Sequence, residues 1–329
     1  MLICLWKLRE PSGTHVLVNS RVDLVVEPHT QPTVVFIVGA TASGKTEASL
    51  ELARRLSVEI VNADSRLVYK GIDIGTAKPS ASEQSQVAHH LLDLVDPDEP
   101  YSLALYLQQA HSAINTIIGN GKLPVVVGGT GQYVWALIEG WNVPEVPPQP
   151  ELREQLEREV QEQGVEALVT RLAELDPVTA EHIDRQNPRR VIRALEVVLT
   201  TGKSFADQRR RTPPPFNSHV AGLWVPRDEL HRRIDARVDH MVEAGWLEEV
   251  RGLLSHGYSP ELPSFSSAGY SELAAYIRDE MAWEDALEKT RVSVHRLARG
   301  QNAWFKRSDS RIEWSESVPE LVASVLERT

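Results

Sequence analysis

The sequence predicts an α/β protein in which a doubly wound parallel sheet carries a phosphate-binding loop (P-loop), with an inserted all-helical domain and a helical C-terminal part. Three observations support this prediction. A β-branched run at 34–38 leads directly into the glycine-rich segment 39–46. Strand-like runs then alternate with helical patterns up to about residue 140. From there to residue 216, a proline-rich stretch and charged helical segments contain no strand-like run.

The glycine-rich segment fits the pattern G-x-x-x-x-G-K-[ST] and is followed by a helical pattern at 47–56. In this context, backbone N–H groups and the helix N-terminus converge on one anion. Lys45 adds a mobile positive charge, and the hydroxyl of Thr46 can hold a Mg²⁺ ion that bridges phosphate oxygens. A chance match is the weaker alternative, so we expect phosphate binding here. The segment reads Gly39, Ala40, Thr41, Ala42, Ser43, Gly44, Lys45, Thr46.

Composition sets limits on the class of protein. The chain has 329 residues, of which 42% are hydrophobic and 25% charged, as is typical of soluble globular proteins. Its net charge of −11 argues against broad attraction to nucleic acid, although a local basic track runs from Lys289 to Arg311. Cys4 is the single cysteine, which excludes a disulfide framework and a cysteine metal site. The apolar runs are too short for a membrane span or a signal peptide, so we expect a cytoplasmic protein.

Along the chain, residues 1–31 are predicted to form an extension outside the core. A second strand at 58–62 ends near Asp64, and a carboxylate at that edge of an open sheet faces the ligand crevice. Asp64 is therefore a candidate general base or Mg²⁺ ligand, with a loop cap as the alternative. A loop at 71–79, a helix at 101–118 and a third strand at 123–127 follow. The next residues, 128–131, permit close approach to a ligand or form a tight turn.

The predicted catalytic core comprises 32–143 and 217–329, and the helical insertion comprises 144–216. Prolines 144, 147, 148 and 150 form a linker, helices follow over 151–201, and Pro213-Pro214-Pro215 closes the segment. A core strand resumes at 220–225, and helices dominate from residue 227. Arg233 and Arg237 share a helix face, where they either clamp a diphosphate or pair with acidic neighbours at the surface.

For two further pairs of residues, we expect a structural role rather than a functional one. His89-His90 is predicted to be a packed or loop pair rather than a metal site, because no partner lies at metal-ligand spacing. Trp304-Phe305 lies within the basic track and could stack on bases. Aromatic residues at helical spacing usually belong to the core, and we expect the core here.

Together, these stretches resemble the bacterial tRNA dimethylallyltransferases. The resemblance covers about 33 to 315, in the order of the family. The matching stretches are 39–46, Asp64-Ser65-Arg66 with Val68-Tyr69, 71–79, His89-His90-Leu91, Asp96-Pro97, Tyr101-Ser102, 121–131, 193–197, 201–203, Arg233-Ile234, Arg237-Val238, Gly269-Tyr270 and Trp304-Phe305.

The resemblance implies transfer of a dimethylallyl group from dimethylallyl diphosphate to the exocyclic amine of an adenosine. The acceptor would be the adenosine immediately 3′ of the anticodon in tRNAs that read codons beginning with U. The loop usually associated with ATP would then hold a diphosphate leaving group, with Mg²⁺ as cofactor and no nucleotide required. Asp64 would be the general base, Thr41 would contact the diphosphate near the breaking bond, and Lys45 would complete the catalytic set. The target base would be flipped out of the anticodon loop.

The resemblance also implies two sets of binding residues in a protein expected to be a monomer with no membrane contact. The insertion 144–216 matches the mobile domain with which the family grips the anticodon stem-loop. The implied diphosphate-binding residues are 39–46, Arg233 and Arg237. The implied tRNA-binding residues are Asp64, Ser65, Arg66, Leu67, Thr130, Arg153, Arg189, Arg190, Val191, Ile192, Arg193, Ser266, Gly269 and Tyr270.

The sequence departs from the family pattern at four positions on the expected RNA side. Leu67 replaces a usual Gln, Ser266 a Gln or Arg, His295 an Arg, and Gly300 the Arg that usually precedes Gln301. Two other function classes remain as alternatives.

A small-molecule kinase would share only the loop and the sheet with this sequence. A noncatalytic RNA-binding protein agrees with the altered RNA-side residues, but it would not need Lys45, Thr46 and Asp64, which are intact.

Overall fold

The computed structural model describes residues 31–144, 146, 149–208 and 211–329, and residues 32–329 belong to one compact unit. Apart from Gln31, the predicted N-terminal extension 1–31 lies outside the described residues, as do Glu145, Pro147 and Pro148 of the predicted linker. No helix in the described part of the chain is long and apolar enough to cross a membrane.

The described residues form one six-stranded sheet, and its strands are parallel, as the sequence predicts. The strand order is β3-β2-β4-β1-β5-β6. The central strand β1 pairs with β4 on one side and with β5 on the other, and so joins two distant parts of the chain. The strands are β1 (Thr33–Gly39), β2 (Val58–Asn62), β3 (His89–His90), β4 (Leu123–Val127), β5 (Asn217–Leu223) and β6 (Ile312–Ser315).

Helices make up most of the remaining structure. They are α1 (Lys45–Ala53), α2 (Ala81–Gln86), α3 (Leu103–Gly119), α4 (Gly131–Glu139), α5 (Pro150–Gln163), α6 (Val165–Leu175), α7 (Pro177–His182), α8 (Pro188–Thr201), α9 (Phe205–Gln208), α10 (Arg227–Glu243), α11 (Trp246–Ser255), α12 (Tyr270–Ile277), α13 (Trp283–Trp304) and α14 (Val318–Arg328).

The sequence missed two strands. The edge strand β3 has only two residues, too few for any periodic pattern, and it contains the histidine pair. His90 Nε2 lies 2.6 Å from Oε2 of the buried Glu59, so this histidine has a structural partner within the sheet. Strand β6 lies in a region predicted to be helical. Its four residues are too few for an alternation of apolar and polar residues to predict a strand.

Strand β1 is buried on both faces, which explains its continuous apolar sequence. On one face of the sheet, Val34, Phe36 and Val38 pack against residues of α3 and α4. Val35 and Ile37 point to the opposite face, where α1 and α14 complete a second core cluster. Helices therefore cover both faces of the sheet, as the doubly wound prediction requires.

Residues 149–208 contain helices and no strand, and α5 to α8 enclose a hydrophobic cluster of their own. The chain leaves the core and returns to it at one point. Thr212 N–H donates to the Gly140 carbonyl at 2.8 Å, and Trp141 pairs with Arg211 in an isolated antiparallel bridge. A Cβ on Gly140 would lie 1.7 Å from the Thr212 carbonyl oxygen, so only glycine fits at this crossing.

Candidate active site

A cavity of about 660 Å³ opens where β1, β2 and β4 end. This is the edge at which open parallel sheets bind their ligands. The cavity is lined by the glycine-rich loop 39–46, by 64–67, 75–77 and 127–132, and by one face each of α10 and α13. The loop and Asp64, singled out from the sequence, therefore face the same space.

The glycine-rich loop has a backbone that other residues could not adopt without strain. Gly39 and Gly44 have φ angles of 148° and 104°, and a Cβ on Gly39 would lie 2.6 Å from the Leu223 carbonyl oxygen. Lys45 Nζ donates to the carbonyls of Gly39 and Ala40 at 3.0 and 2.7 Å. The loop is thus bent tightly enough for its own lysine to fold back across it.

The charge of Lys45 is sensitive to its surroundings. Burial lowers the pKa of Lys45 to about 8, while the Asp64 carboxylate opposes this shift and Arg237 adds to it. Burial also lowers the pKa of Arg237, again opposed by Asp64. Two cations and one carboxylate therefore share the cavity, and an anionic ligand would relieve the repulsion between the cations.

Thr46 fits the predicted Mg²⁺ role. Its side chain lines the cavity and forms no hydrogen bond with any residue that the structure describes. The same described residues contain no group of three or more His, Cys, Asp or Glu side chains that could hold a metal ion. A Mg²⁺ ion would therefore depend on Thr46, on phosphate oxygens of the substrate and on water, which is how this ion commonly binds with nucleotide substrates.

Asp64 forms the predicted loop cap and also faces the cavity, where a general base or a Mg²⁺ ligand would have to lie. Its Oδ1 accepts a hydrogen bond from the Arg66 N–H at 2.9 Å, which is a loop cap, and the residue also lines the cavity. Ser65 N–H donates to Thr130 Oγ1 at 3.0 Å, which ties this segment to the glycine-rich turn 128–131. The loop after β2 is thereby held against the loop after β4.

The glycines of the turn 128–131 are required by close protein neighbours. A Cβ on Gly128 would lie 2.1 Å from the Ala63 carbonyl oxygen, and one on Gly129 would lie 2.1 Å from Gln301 Nε2. A Cβ on Gly131 would meet Trp304 at 2.3 Å. The segment therefore forms the predicted tight turn, and because it also lines the cavity, the predicted approach to a ligand stays a prediction.

The two arginines of α10 do not act as a pair. Arg237 lines the cavity, whereas Arg233 Nε donates to Glu229 Oε1 at 2.9 Å on an exposed face. Of the two arginines predicted to bind diphosphate, only Arg237 therefore lines the cavity. The i, i+4 spacing correctly puts both residues on one side of the helix. The cavity extends only as far as Arg237, and Arg233, one turn earlier, lies at the surface.

Several residues expected to bind tRNA have structural roles instead of exposed side chains. Tyr270 is fully buried and its hydroxyl donates to Glu249 Oε1 at 2.6 Å, while Gly269 packs under Trp246. Val191 and Ile192 lie in the core of the insertion, so any RNA contact from them would have to use the backbone. The side chains of Tyr270, Val191 and Ile192 are therefore buried rather than exposed to RNA, and Gly269 has no side chain to offer.

Arg153 and Arg193 meet at the buried carboxylate of Glu196. Arg153 Nη2 donates to both carboxylate oxygens at 3.0 and 2.9 Å, and Arg193 Nη1 donates at 2.6 Å. Arg193 Nη2 also reaches the carbonyls of Pro144 and Val146. Burial alone would raise the pKa of Glu196, but hydrogen bonds from the Gln149 N–H, Arg193 and Arg153 hold it below its usual value.

The other predicted RNA residues are more accessible. Arg189 and Arg190 are exposed at the start of α8, and Arg190 lies 3.6 Å from Asp184 in a loose surface pair. Arg66 donates to the Pro263 carbonyl at 2.8 Å and to Ser266 Oγ at 2.9 Å, so the substituted Ser266 still engages the 64–67 segment. Leu67 lines the cavity itself.

The remaining two departures lie on α13. His295 Nε2 is 2.7 Å from Asp235 Oδ1, and its ring is 4.2 Å from that of His231, so it joins α13 to α10. Gly300 lines the cavity with nothing within 4 Å of its Cβ position.

Helix α13 supplies cavity residues that the sequence interpretation did not recognise. Leu297, Gln301 and Trp304 line the cavity, and Leu297 and Trp304 are 44% and 42% exposed. The core interpretation is therefore right for Phe305, which is 2% exposed, and wrong for Trp304. The i, i+4, i+7 spacing of these three residues marks one helix face and could have revealed them.

The fold and the cavity together define an α/β protein with a cavity at the carboxyl edge of a parallel sheet, where two cations and one carboxylate meet. Comparison with known proteins is more specific, since the sequence model of the IPP transferase family matches residues 67–308 and that of the isopentenyl transferases matches residues 32–94. The chain belongs to the IPP transferase family, whose curated relatives are named tRNA dimethylallyltransferases.

The similarity extends over nearly the whole of these relatives. The tRNA dimethylallyltransferase of Roseiflexus castenholzii is 49% identical over 286 residues, which cover 87% of this chain and 94% of the relative. That of Thermomicrobium roseum is 46% identical, with 85% of each chain covered.

Two solved structures are also similar. The full-length tRNA isopentenylpyrophosphate transferase of Bacillus halodurans has a TM-score of 0.67 and 36% identity, with 91% of this chain and 97% of that one covered. A eukaryotic dimethylallyltransferase, described as acting on tRNA, has a TM-score of 0.75 and 26% identity, with 90% and 77% covered.

Proposed function

We propose that this protein transfers a dimethylallyl group from dimethylallyl diphosphate to the exocyclic amine of an adenosine in tRNA. The observation that carries the proposal is the shared cavity, into which the glycine-rich loop 39–46 and Asp64 both open. A leaving diphosphate and an attacking amine need such opposed groups within one space. Membership of the IPP transferase family supports the same assignment.

The residues of the cavity suit each part of this reaction. The bond between the allylic carbon and the bridging oxygen breaks, the amine nitrogen bonds to that carbon, and diphosphate leaves. Lys45, Arg237, Thr41 and the loop N–H groups stabilise the negative charge that grows on the departing diphosphate. Asp64 accepts the proton that the amine nitrogen loses. Mg²⁺ held at Thr46 would supply further charge stabilisation on the phosphate oxygens.

The allylic carbon carries positive charge as the bond breaks, and it must be kept from water. The cavity faces of α10 and α13 supply apolar side chains for this purpose, namely Ile234, Val238, Met241, Val294 and Leu297. An apolar wall excludes water without competing for the carbocation-like centre. The arrangement therefore favours amine attack over hydrolysis of the donor.

The acceptor is assigned from the family resemblance. We place it at the adenosine 3′ of the anticodon in tRNAs that read codons beginning with U, flipped out of its stack to reach Asp64. The insertion 144–216 would grip the anticodon stem-loop, and the loop 39–46 would act as a P-loop for diphosphate. We further propose a cytoplasmic monomer.

The test is transfer without ATP. Purified protein, Mg²⁺, radiolabelled dimethylallyl diphosphate and total tRNA should give labelled tRNA, and inorganic pyrophosphate should compete with the donor. Conversion of ATP to ADP with phosphate transferred to an acceptor would indicate a kinase instead. Binding of tRNA without any transfer would indicate a noncatalytic RNA-binding protein.

A further inference from the structure

Gln301 lies between the two halves of the cavity and has no role in the reaction described so far. Its side chain is 5% exposed, near the end of α13. Its Oε1 accepts a hydrogen bond from the backbone N–H of Thr41 at 2.7 Å, across 260 residues of sequence. Because an N–H must donate, the oxygen of the carboxamide faces the loop 39–46.

The other end of the same carboxamide rests on the glycine-rich turn. The Nε2 atom lies 2.1 Å from the position a Cβ would take on Gly129, so the amide packs directly on the Gly129 backbone. The next residue, Thr130, accepts from the Ser65 N–H at 3.0 Å, and Ser65 follows Asp64 in sequence. An unbroken chain of contacts therefore runs from Thr41 through Gln301 and the turn to Asp64.

We propose that Gln301 is a positioning residue that fixes the backbone of Thr41 relative to Asp64, and thereby the leaving group relative to the attacking amine. The inference rests on the proposed function. A carboxamide suits the position because it is neutral and offers both an acceptor and a donor. A lysine or arginine has no acceptor for the Thr41 N–H, and a glutamate would place a negative charge beside the diphosphate.

The expected signature is a loss of rate without a loss of binding. Displacing reacting groups by about 1 Å can cost about 100-fold in rate. We expect Gln301→Leu to lower single-turnover transfer by about 10- to 100-fold, while the Kd values for pyrophosphate and for tRNA change by less than about 3-fold. The matched control is Gln109→Leu, which removes another 2.7 Å hydrogen bond to a glutamine Oε1, donated by Tyr101 just before α3; neither Gln109 nor Tyr101 lines the cavity.

Hydrogen exchange provides a readout that is independent of activity. The Thr41 amide should exchange about 2- to 10-fold faster in Gln301→Leu, in line with the loss of one hydrogen bond. Gln301→Glu keeps an acceptor oxygen and should restore the protection. Gln109→Leu should leave exchange at Thr41 unchanged.

A second pair of variants tests the same contact without Gln301→Leu, in case that variant does not fold. Gly129→Ala should also slow transfer, because its Cβ displaces the carboxamide. Gly129→Ala combined with Gln301→Ala should be no slower than Gln301→Ala alone, since the clash is then absent.

The outcomes separate this inference from the proposed function. An inactive wild type contradicts the proposed function, while the exchange measurements still test the Thr41 contact. Wild-type rates in Gln301→Leu and Gly129→Ala would overturn the positioning role. A pyrophosphate affinity that falls in proportion to the rate would also overturn it, because Gln301 would then bind the diphosphate directly.

Discussion

At the scale of single residues, Asp64 has an observed structural role, and the proposed function adds a chemical one. One oxygen caps the loop through the Arg66 N–H, and the residue lines the cavity near Lys45 and Arg237. A variant can separate the two roles, because an asparagine retains the capping oxygen and loses the basicity.

Asp64→Asn should therefore lower turnover by about 100-fold or more with little change in tRNA affinity, since general base catalysis typically contributes about 100- to 10,000-fold. The measurement is the single-turnover rate of transfer at saturating donor, beside tRNA binding by filter retention. Equal rates for variant and wild type would leave Asp64 with the capping role alone.

Lys45→Ala should lower turnover by about 100-fold or more, because the charge it removes matters most as the diphosphate departs. The same single-turnover measurement applies. Lys122→Ala is a suitable control, since Lys122 bonds to Glu59 at the edge of the sheet and does not line the cavity. A Lys45→Ala rate close to that of Lys122→Ala would contradict a role in charge stabilisation.

Sequence reasoning reached the residues of the loop 39–46 and Asp64 because local patterns define them. It did not reach Gln301, whose function depends on a contact with Thr41 across 260 residues of sequence. Nor did it predict that Arg237 lines the cavity while Arg233 does not, because helical spacing carries no information on the extent of a cavity. Contacts between residues far apart in sequence cannot be predicted from local patterns in a single sequence.

At the scale of elements, α8 presents two arginines with different environments. Arg193 is bound to Glu196 and to two carbonyls of the segment that enters the insertion. Arg190 is exposed with only a loose partner. The two residues are three apart, and no local pattern in the sequence distinguishes them.

Arg190→Glu should weaken tRNA binding and flatten the slope of log K against log salt by about one unit per lost phosphate contact. Pyrophosphate affinity should be unaffected. Arg158→Glu, an equal charge reversal on the exposed face of α5, controls for long-range electrostatics. A slope that is the same in all three proteins would mean that Arg190 faces solvent in the complex.

Arg193→Ala should instead lower stability, by about 1–3 kcal/mol, because the buried carboxylate of Glu196 loses a charged partner. Its salt slope for tRNA should match that of the wild type. Thermal unfolding and salt titration together distinguish the roles. A flattened slope at unchanged stability would return Arg193 to the set of RNA contacts.

At the scale of the whole molecule, the helices of 150–208 have their own hydrophobic cluster, and their connections to the sheet meet at Gly140 and Thr212. The sequence predicted the helices of this segment from proline positions and from the lack of strand patterns. It predicted the four longer strands for the same kind of reason, and it missed β3 and β6 because such short strands carry little pattern.

Replacing 144–210 by a short glycine–serine linker should therefore leave a folded core. Pyrophosphate should bind within about 3-fold of wild type, and tRNA affinity should fall by about 10-fold or more as phosphate contacts are lost. Calorimetry and circular dichroism would check the first expectation, and filter binding the second. Unchanged tRNA affinity would contradict the gripping role, and an unfolded product would contradict the independence of the core.

The pairing of β1 with β5 has a consequence during translation. Strand β1 ends at residue 39 and its neighbour β5 begins at residue 217. One edge of this apolar central strand therefore stays unpaired until the intervening chain has been synthesised. At about 5–20 residues per second, the wait lasts roughly 10–35 s. Helical segments with local contacts fold in microseconds to milliseconds, so 150–208 can be complete long before then. The nascent chain thus exposes an open β edge on the ribosome, and chaperones that shield such edges should govern its yield in cells.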